Sequence, residues 1–249
     1  MENITKIFLM FIIYGFLGYI AEVVYVFILT KKLTNRGYLY GPIVPIYAFG
    51  ALFIMLPLTY FEFGKFIIDR WYLVIIIGFI LPTLLEYITS FVMEKIFHMR
   101  WWDYSDKFLN INGRVCLRNS TLFMLLVVLV VYVLNPLIIK FIDLAFNIEI
   151  LAYIIAILLF IGLIVDFIFS TIKHVNIAKI ISKLNQLKDK ASDTISNKID
   201  EAKELLNNYY NKFKEKLDKI NIKYPSLKII KNKNKISLKE FINKIKNKD

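Results

Sequence analysis

The stretch that decides the fold is Ile7 to Leu29, IFLMFIIYGFLGYIAEVVYVFIL, which carries a single charge, Glu22. A bilayer core of about 30 Å is crossed by about 20 helical residues. Inside lipid the backbone must satisfy its own hydrogen bonds, so only helices and closed barrels cross. This run lacks the period-two alternation of a barrel strand, so it reads as a membrane-crossing helix. It is too long for the apolar part of a cleavable leader, and no basic region precedes it.

Working outward, four more segments have the same character. Ile43 to Phe61 is shorter and holds Pro45 and Pro57. Trp71 to Met93 contains Glu86, Ser120 to Ile139 contains no charge, and Ile150 to Ile172 contains Asp166. The sequence predicts an all-α, polytopic membrane bundle of about five transmembrane helices over residues 1–172, followed by a tail over 173–249. The second span, with its prolines and preceding Gly-rich loop, also reads as re-entrant. Hydrophobic residues make up 57% of the chain, above the ~45–50% of soluble domains.

The net charge is +12, and the tail from Lys173 carries +11 of it, with 20 Lys against 9 Asp or Glu. Short loops after odd-numbered spans hold eight Lys or Arg, among them Lys31, Lys32, Arg36, Arg100, Arg114 and Arg118. The opposite side holds Lys6, Lys65, Arg70 and Lys140. The positive-inside bias predicts an outside N-terminus and a cytoplasmic tail in the cell membrane. Two His and one Cys offer no metal set and no disulfide, and no cofactor is expected.

Glu22, Glu86 and Asp166 stand at the sixteenth, sixteenth and seventeenth positions of their spans. At a rise of 1.5 Å per residue each lies about 24 Å in, at a shared depth. Each has Gly18, Pro82 or Gly162 four positions earlier, on the same helix face, where small residues let helices approach. The acids therefore read as pointing at helix neighbours or a polar cavity, with Arg36, Arg114 and Arg118 as partners. A site for a cation, a proton or a basic substrate group competes with structural ion pairing; for Asp166 the structural reading is preferred.

The loop Glu94 to Arg118 is the richest in chemistry. Glu94, His98 and Trp102 are four apart and would meet on a helix. Trp101, Trp102 and Tyr104 suit an interfacial aromatic belt. Arg100 and Arg114 suit an anion clamp, and Cys116 suits buried packing. The residues expected to bind substrate or ion are Glu22, Arg36, Glu86, Arg100, Asp103, Arg114 and Asp166, with no catalytic residue assigned.

Gly15–Glu22, Asn35–Pro42, Leu85-Glu86-Tyr87, Arg100-Trp101-Trp102-Asp103-Tyr104 and Asn112-Gly113-Arg114-Val115-Cys116-Leu117 resemble the bacterial ABC-transporter type IV (CmpB-like) membrane family, across residues 5–172. The resemblance implies a permease-like membrane protein. The chain has no Gly-x-x-x-x-Gly-Lys-Ser/Thr phosphate loop and no Glu-Ala-Ala-type coupling loop, so an ATPase would be a separate subunit. A substrate-capture subunit fits the same composition.

From Ile177 to Ile220 apolar residues recur at three- and four-residue steps, predicting an amphipathic or coiled-coil helix. Pro225 ends it, and Ser237 with Glu240 suggests a capping box for a last helix through Ile245. Its partners would be a second helix, its own chain or another copy, or anionic lipid; acids interleaved with the lysines argue against nucleic acid. Three functions compete: a transport component, an intramembrane enzyme acting on a lipid or polyprenyl phosphate head group, and a scaffold or sensor acting through the tail. Activity as an enzyme is the less favoured.

Overall fold

The computed structural model describes residues 1–31, 37–193, 204, 208–214, 216–218, 228–231 and 234–237. The main elements are helices α1 (Glu2–Thr30), α2 (Pro45–Tyr60), α3 (Glu62–Ile68), α4 (Trp71–Phe97), α5 (Leu117–Leu129), α6 (Asn135–Ala145) and α7 (Glu149–Asp193). Five short strands accompany them: β1 (Met99–Arg100), β2 (Asn110–Ile111), β3 (Val115–Cys116), β4 (Lys228–Lys231) and β5 (Asn234–Ser237). The chain divides into two compact units, one of residues 1–89 with 104–170 and the other of 90–103 with 171–249. Helices α4 and α7 contribute to both.

Among the described residues, three helical stretches are long and apolar enough to cross a membrane: Glu2–Ile28, Trp71–Phe97 and Leu117–Leu184. The pair α2 and α3, bent by 108°, makes a fourth if its two arms form one span. The expected spans 120–139 and 150–172 thus lie in one helical stretch of 68 residues. It is interrupted by a π segment, Val130–Leu134, and a 3-10 turn, Phe146–Ile148.

In the first unit the apolar core joins Leu9, Met10 and Tyr14 of α1 to Ile54, Met55 and Leu58 of α2 and Val74 of α4. Val127, Val131, Ile138 and Ile142 complete it, with Ala152 and Ala156 of α7. Helices α1 and α6 run antiparallel. Lys6 pairs with Asp143 at 2.8 Å, and eight residues on, the Tyr14 hydroxyl donates to Asn135 Oδ1 at 2.6 Å. The π segment serves this contact. Asn135 N–H bonds five residues back to Val130 O, an added residue in the turn that accommodates Pro136.

Helix α2 begins halfway along α1, where Val44 N–H donates to Gly15 O at 3.0 Å. Pro45 sits in its first turn, where no N–H is needed. Its corner with α3 depends on Gly64, where an added Cβ would lie 2.1 Å from the Leu58 carbonyl oxygen. Of the small residues expected to admit a neighbour, Gly18 does so: its Cβ position falls 2.3 Å from Tyr47 Cβ. Gly162 does not, with nothing within 4 Å. In α4 a close approach is at Gly78, against Val127.

The chain is mostly helical, as predicted, and short strands of two to four residues add to the helices among the described residues. Asn112 and Gly113, at φ 52° and 66°, make the two-residue turn of a β2–β3 hairpin, closed by Arg114 N–H to Ile111 O at 3.0 Å. Positive φ at both central residues is the Asn-Gly signature. In the second unit His98 stops α4 in the left-handed region, φ 53°. The chain then extends as β1, whose open edge is covered by β4 of an antiparallel β4–β5 hairpin. Unpaired backbone groups make such an edge costly, and the hairpin supplies the pairing.

The tail's helix continues α7 without a break through Lys173 to Asp193, and 208–214 and 216–218 are also helical. Ile177, Ile181, Leu184 and Leu217 of the expected apolar stripe are buried. Ser237 ends a strand rather than opening a helix, because its segment pairs backbone to backbone with β4. The rest of the proposed last helix, Glu240 included, lies outside the described residues, as do most positions between 194 and 227.

Candidate functional site

The first unit gathers polar groups at one place between α1, α2, α4 and α5. Tyr47 of α2 donates its hydroxyl to Glu22 Oε2 at 2.9 Å. Tyr104, beyond α4, donates to Glu86 Oε1 at 3.3 Å. The Asn119 side chain of α5 faces the same Glu86 carboxyl, and Glu22 lies within its electrostatic reach. Glu86 is 5% exposed, and its Oε2 accepts no hydrogen bond among the described residues. A buried carboxyl oxygen left open is unusual, since buried polar atoms are nearly always paired.

The helices supply this geometry. Gly18 lets Tyr47 lie flat on α1, one helical turn before Glu22. Antiparallel packing of α4 on α5 brings Gly78 to Val127 and, eight residues along each, Glu86 to Asn119. Tyr104 is set by the loop that follows. Its N–H donates to Gly113 O at 2.8 Å, and Asn110 Nδ2 donates to Ser105 O at 3.0 Å and Lys107 O at 2.9 Å. Burial, followed by the Glu86 and Glu22 carboxyls, pushes the Tyr104 phenol well above its ordinary pKa. It therefore stays a hydroxyl and a donor.

Asp166 has a different setting. Its Oδ1 accepts from Tyr40 N–H at 2.9 Å and Ser170 Oγ at 2.9 Å, and its Oδ2 from Gly41 N–H at 2.8 Å. Residues 37–44 are not helical, yet the segment leads to the middle of α1. Non-helical backbone at such depth needs partners supplied by the protein, and Asp166 supplies them. Both carboxylate oxygens of Asp166 thus accept hydrogen bonds from the chain itself.

In the second unit Arg100, 3% exposed, grips Glu94 through Nε at 2.9 Å and Nη2 at 2.7 Å, with Asp103 Oδ2 at 3.8 Å from Nη1. Its fork meets carboxylates of its own chain. Glu94, His98 and Trp102 do not share a helix face, because α4 ends at Phe97 and His98 turns away. Trp101 is buried rather than interfacial, its ring 4.7 Å from that of His174. In the first unit Arg114 stacks over Tyr87 at 5.6 Å, and Asn112 Nδ2 donates to the Tyr87 hydroxyl at 2.9 Å. Cys116 is buried in β3.

Of the residues named from sequence, Glu22 lies within electrostatic reach of Glu86, Arg100 and Asp103 meet, and Asp166 caps Tyr40 and Gly41. Arg36 lies outside the described residues. Tyr47 and Asn119 were missed, and Tyr104 was read as a belt residue. Nothing in the spacing marks a phenol 25 residues from its acid. Neither the curated proteins nor the solved structures yield a match to the chain. A family profile does, over residues 9–171. That range contains every element of the cluster, and the chain belongs to the family described as "Putative ABC-transporter type IV".

Proposed function

We propose that this transport-related membrane protein is the membrane-embedded, cargo-handling component of a transport system whose ATPase is a separate chain. The Glu22–Tyr47–Glu86–Tyr104 cluster is its binding site. The observation that carries the reading is the open Glu86 Oε2, buried among apolar helices. Carboxyls are costly at such depth and mark substrate or ion pathways. In this reading Asp166 holds structure within the first unit and Arg100 with Asp103 within the second, while Arg114 lines the approach to the site beside Tyr87.

The proposal keeps five crossings, with the N-terminus outside and the tail cytoplasmic. A straight helix of 68 residues would be about 100 Å long, several times the bilayer core. Asp143 and Phe160 would then lie about 25 Å apart. Yet they touch α1 at Lys6 and Phe8, two residues apart. A reversal at Phe146–Ile148 accounts for both contacts and divides the stretch into two crossings. The α2 crossing is completed by residues 37–44.

Glu86→Gln is expected to abolish complementation of a strain lacking the protein while its membrane level is unchanged. Full activity of Glu86→Gln overturns the site. Recovery of an ATPase chain with the gently solubilised protein is expected; the transport reading fails if substrate accumulation in the lacking strain equals that of its parent.

A further inference from the structure

We infer that the Glu22–Glu86 cluster binds a primary ammonium group. The inference rests on reading the cluster as a binding site and adds the chemical class of what enters it.

The argument is one of unmet hydrogen bonding. If Glu86 is ionised, its buried Oε2 has no donor within hydrogen-bond distance among the described residues, and besides Tyr104 only the Asn119 side chain faces the carboxyl. Ionised acids at depth call for a cation or several donors. Glu22 lies within electrostatic reach of Glu86, so a cation at Glu86 Oε2 is also attracted by the Glu22 carboxyl. Each already takes a phenol, Tyr47 on Glu22 Oε2 and Tyr104 on Glu86 Oε1. What remains is a demand for positive charge together with N–H or O–H donors.

A primary ammonium carries three N–H donors on a compact charge, so it supplies both the charge and the hydrogen bond that Glu86 Oε2 lacks among the described residues. The lining is also aromatic. Tyr47 packs on Phe123 with ring centroids 6.0 Å apart, and ring faces favour cations while suiting an alkyl stem. A divalent cation would want six or more oxygens in tight geometry. No group of three or more His, Cys, Asp or Glu stands together among the described residues. A quaternary ammonium would satisfy the charge and the rings but could not donate to Oε2.

The test uses the full chain, purified in detergent, and dicyclohexylcarbodiimide, an apolar carboxyl reagent, with the modified residue read by peptide mass spectrometry. Labelling of Glu86 is expected, slowed about fivefold or more by millimolar n-propylammonium at neutral pH, and changed less than about twofold by sodium or tetramethylammonium at equal ionic strength. Glu22→Gln, checked for an unchanged elution profile and melting temperature, is expected to raise the half-protecting propylammonium concentration about tenfold. Should that variant not hold its fold, Tyr47→Phe takes its place with the same expectation. Equal protection by sodium makes the site a general cation site, and equal protection by tetramethylammonium makes it an aromatic one; either overturns the inference. So does no protection at all, or protection unaltered in the variant. None of these outcomes depends on an ATPase partner or on transport, so this inference and the transport reading fail separately.

Discussion

Gly18 and Gly162 each stand four residues before an acid in an apolar helix, and the structure treats them oppositely. A methyl at Gly18 would collide with Tyr47 at its Cβ, which cannot swing aside. Overpacking of this kind costs about 1–3 kcal/mol and pushes Tyr47 off Glu22. At Gly162 nothing is within 4 Å, so alanine meets no obstacle and gains helix propensity of up to about 1 kcal/mol. Gly18→Ala is therefore expected to lower the melting temperature of the detergent-solubilised protein, and Gly162→Ala to leave it unchanged or raise it. A drop at Gly162 equal to that at Gly18 contradicts this account. The same contrast shows what was readable. Hydropathy put the acids inside helices, and Glu86 is indeed buried. The identity of the partners was not readable, because Glu22–Tyr47 and Glu86–Tyr104 are tertiary contacts. Arginines were the natural guess, yet phenols donate to a carboxyl without burying a second charge.

At the scale of elements, hydropathy measures how long an apolar run is and says little about where it bends. The run 43–61 reads from sequence as a crossing or as re-entrant, and neither reading locates the corner at Gly64; strands of two residues are too short for periodicity to register. The Asn112-Gly113 pair was the exception, a hairpin signal available in the sequence. Residues 37–44 show the same limit from another side: the acceptor that holds Tyr40 and Gly41 is Asp166, far along the chain. Asp166→Ala removes an acceptor from Tyr40 N–H and Gly41 N–H, and hydrogen bonds to a charged group are worth about 1.5–3 kcal/mol. Asp166→Asn keeps one acceptor oxygen and is expected to lose about half as much. Proteolysis within 37–44 of the reconstituted protein should rise in the order wild type, Asp166→Asn, Asp166→Ala. Equal resistance in all three would remove the capping role.

At the scale of the whole molecule the decisive question is whether the bent α2–α3 pair, with residues 37–44, crosses or turns back. If it crosses, α1 and α4 run the same way, which agrees with Glu22 lying within electrostatic reach of Glu86, each the sixteenth residue of its expected span. If it turns back, α4 starts on the face where α1 ends, and the ends of the two helices separate to opposite faces. The exposed residues Lys31, Lys65, Arg118 and Lys140 discriminate the two. With Cys116 replaced by serine, single cysteines at these positions can be labelled in intact cells by a membrane-impermeant maleimide. Five crossings with an outside N-terminus predict labelling of Lys65→Cys and Lys140→Cys in intact cells, and of Lys31→Cys and Arg118→Cys only after permeabilisation. A re-entrant α2 would place Lys31→Cys and Lys65→Cys on one face and Arg118→Cys on the other. That outcome would leave α1 and α4 antiparallel, and two carboxyls at equal distances from their helix starts would then have no reason to share a depth.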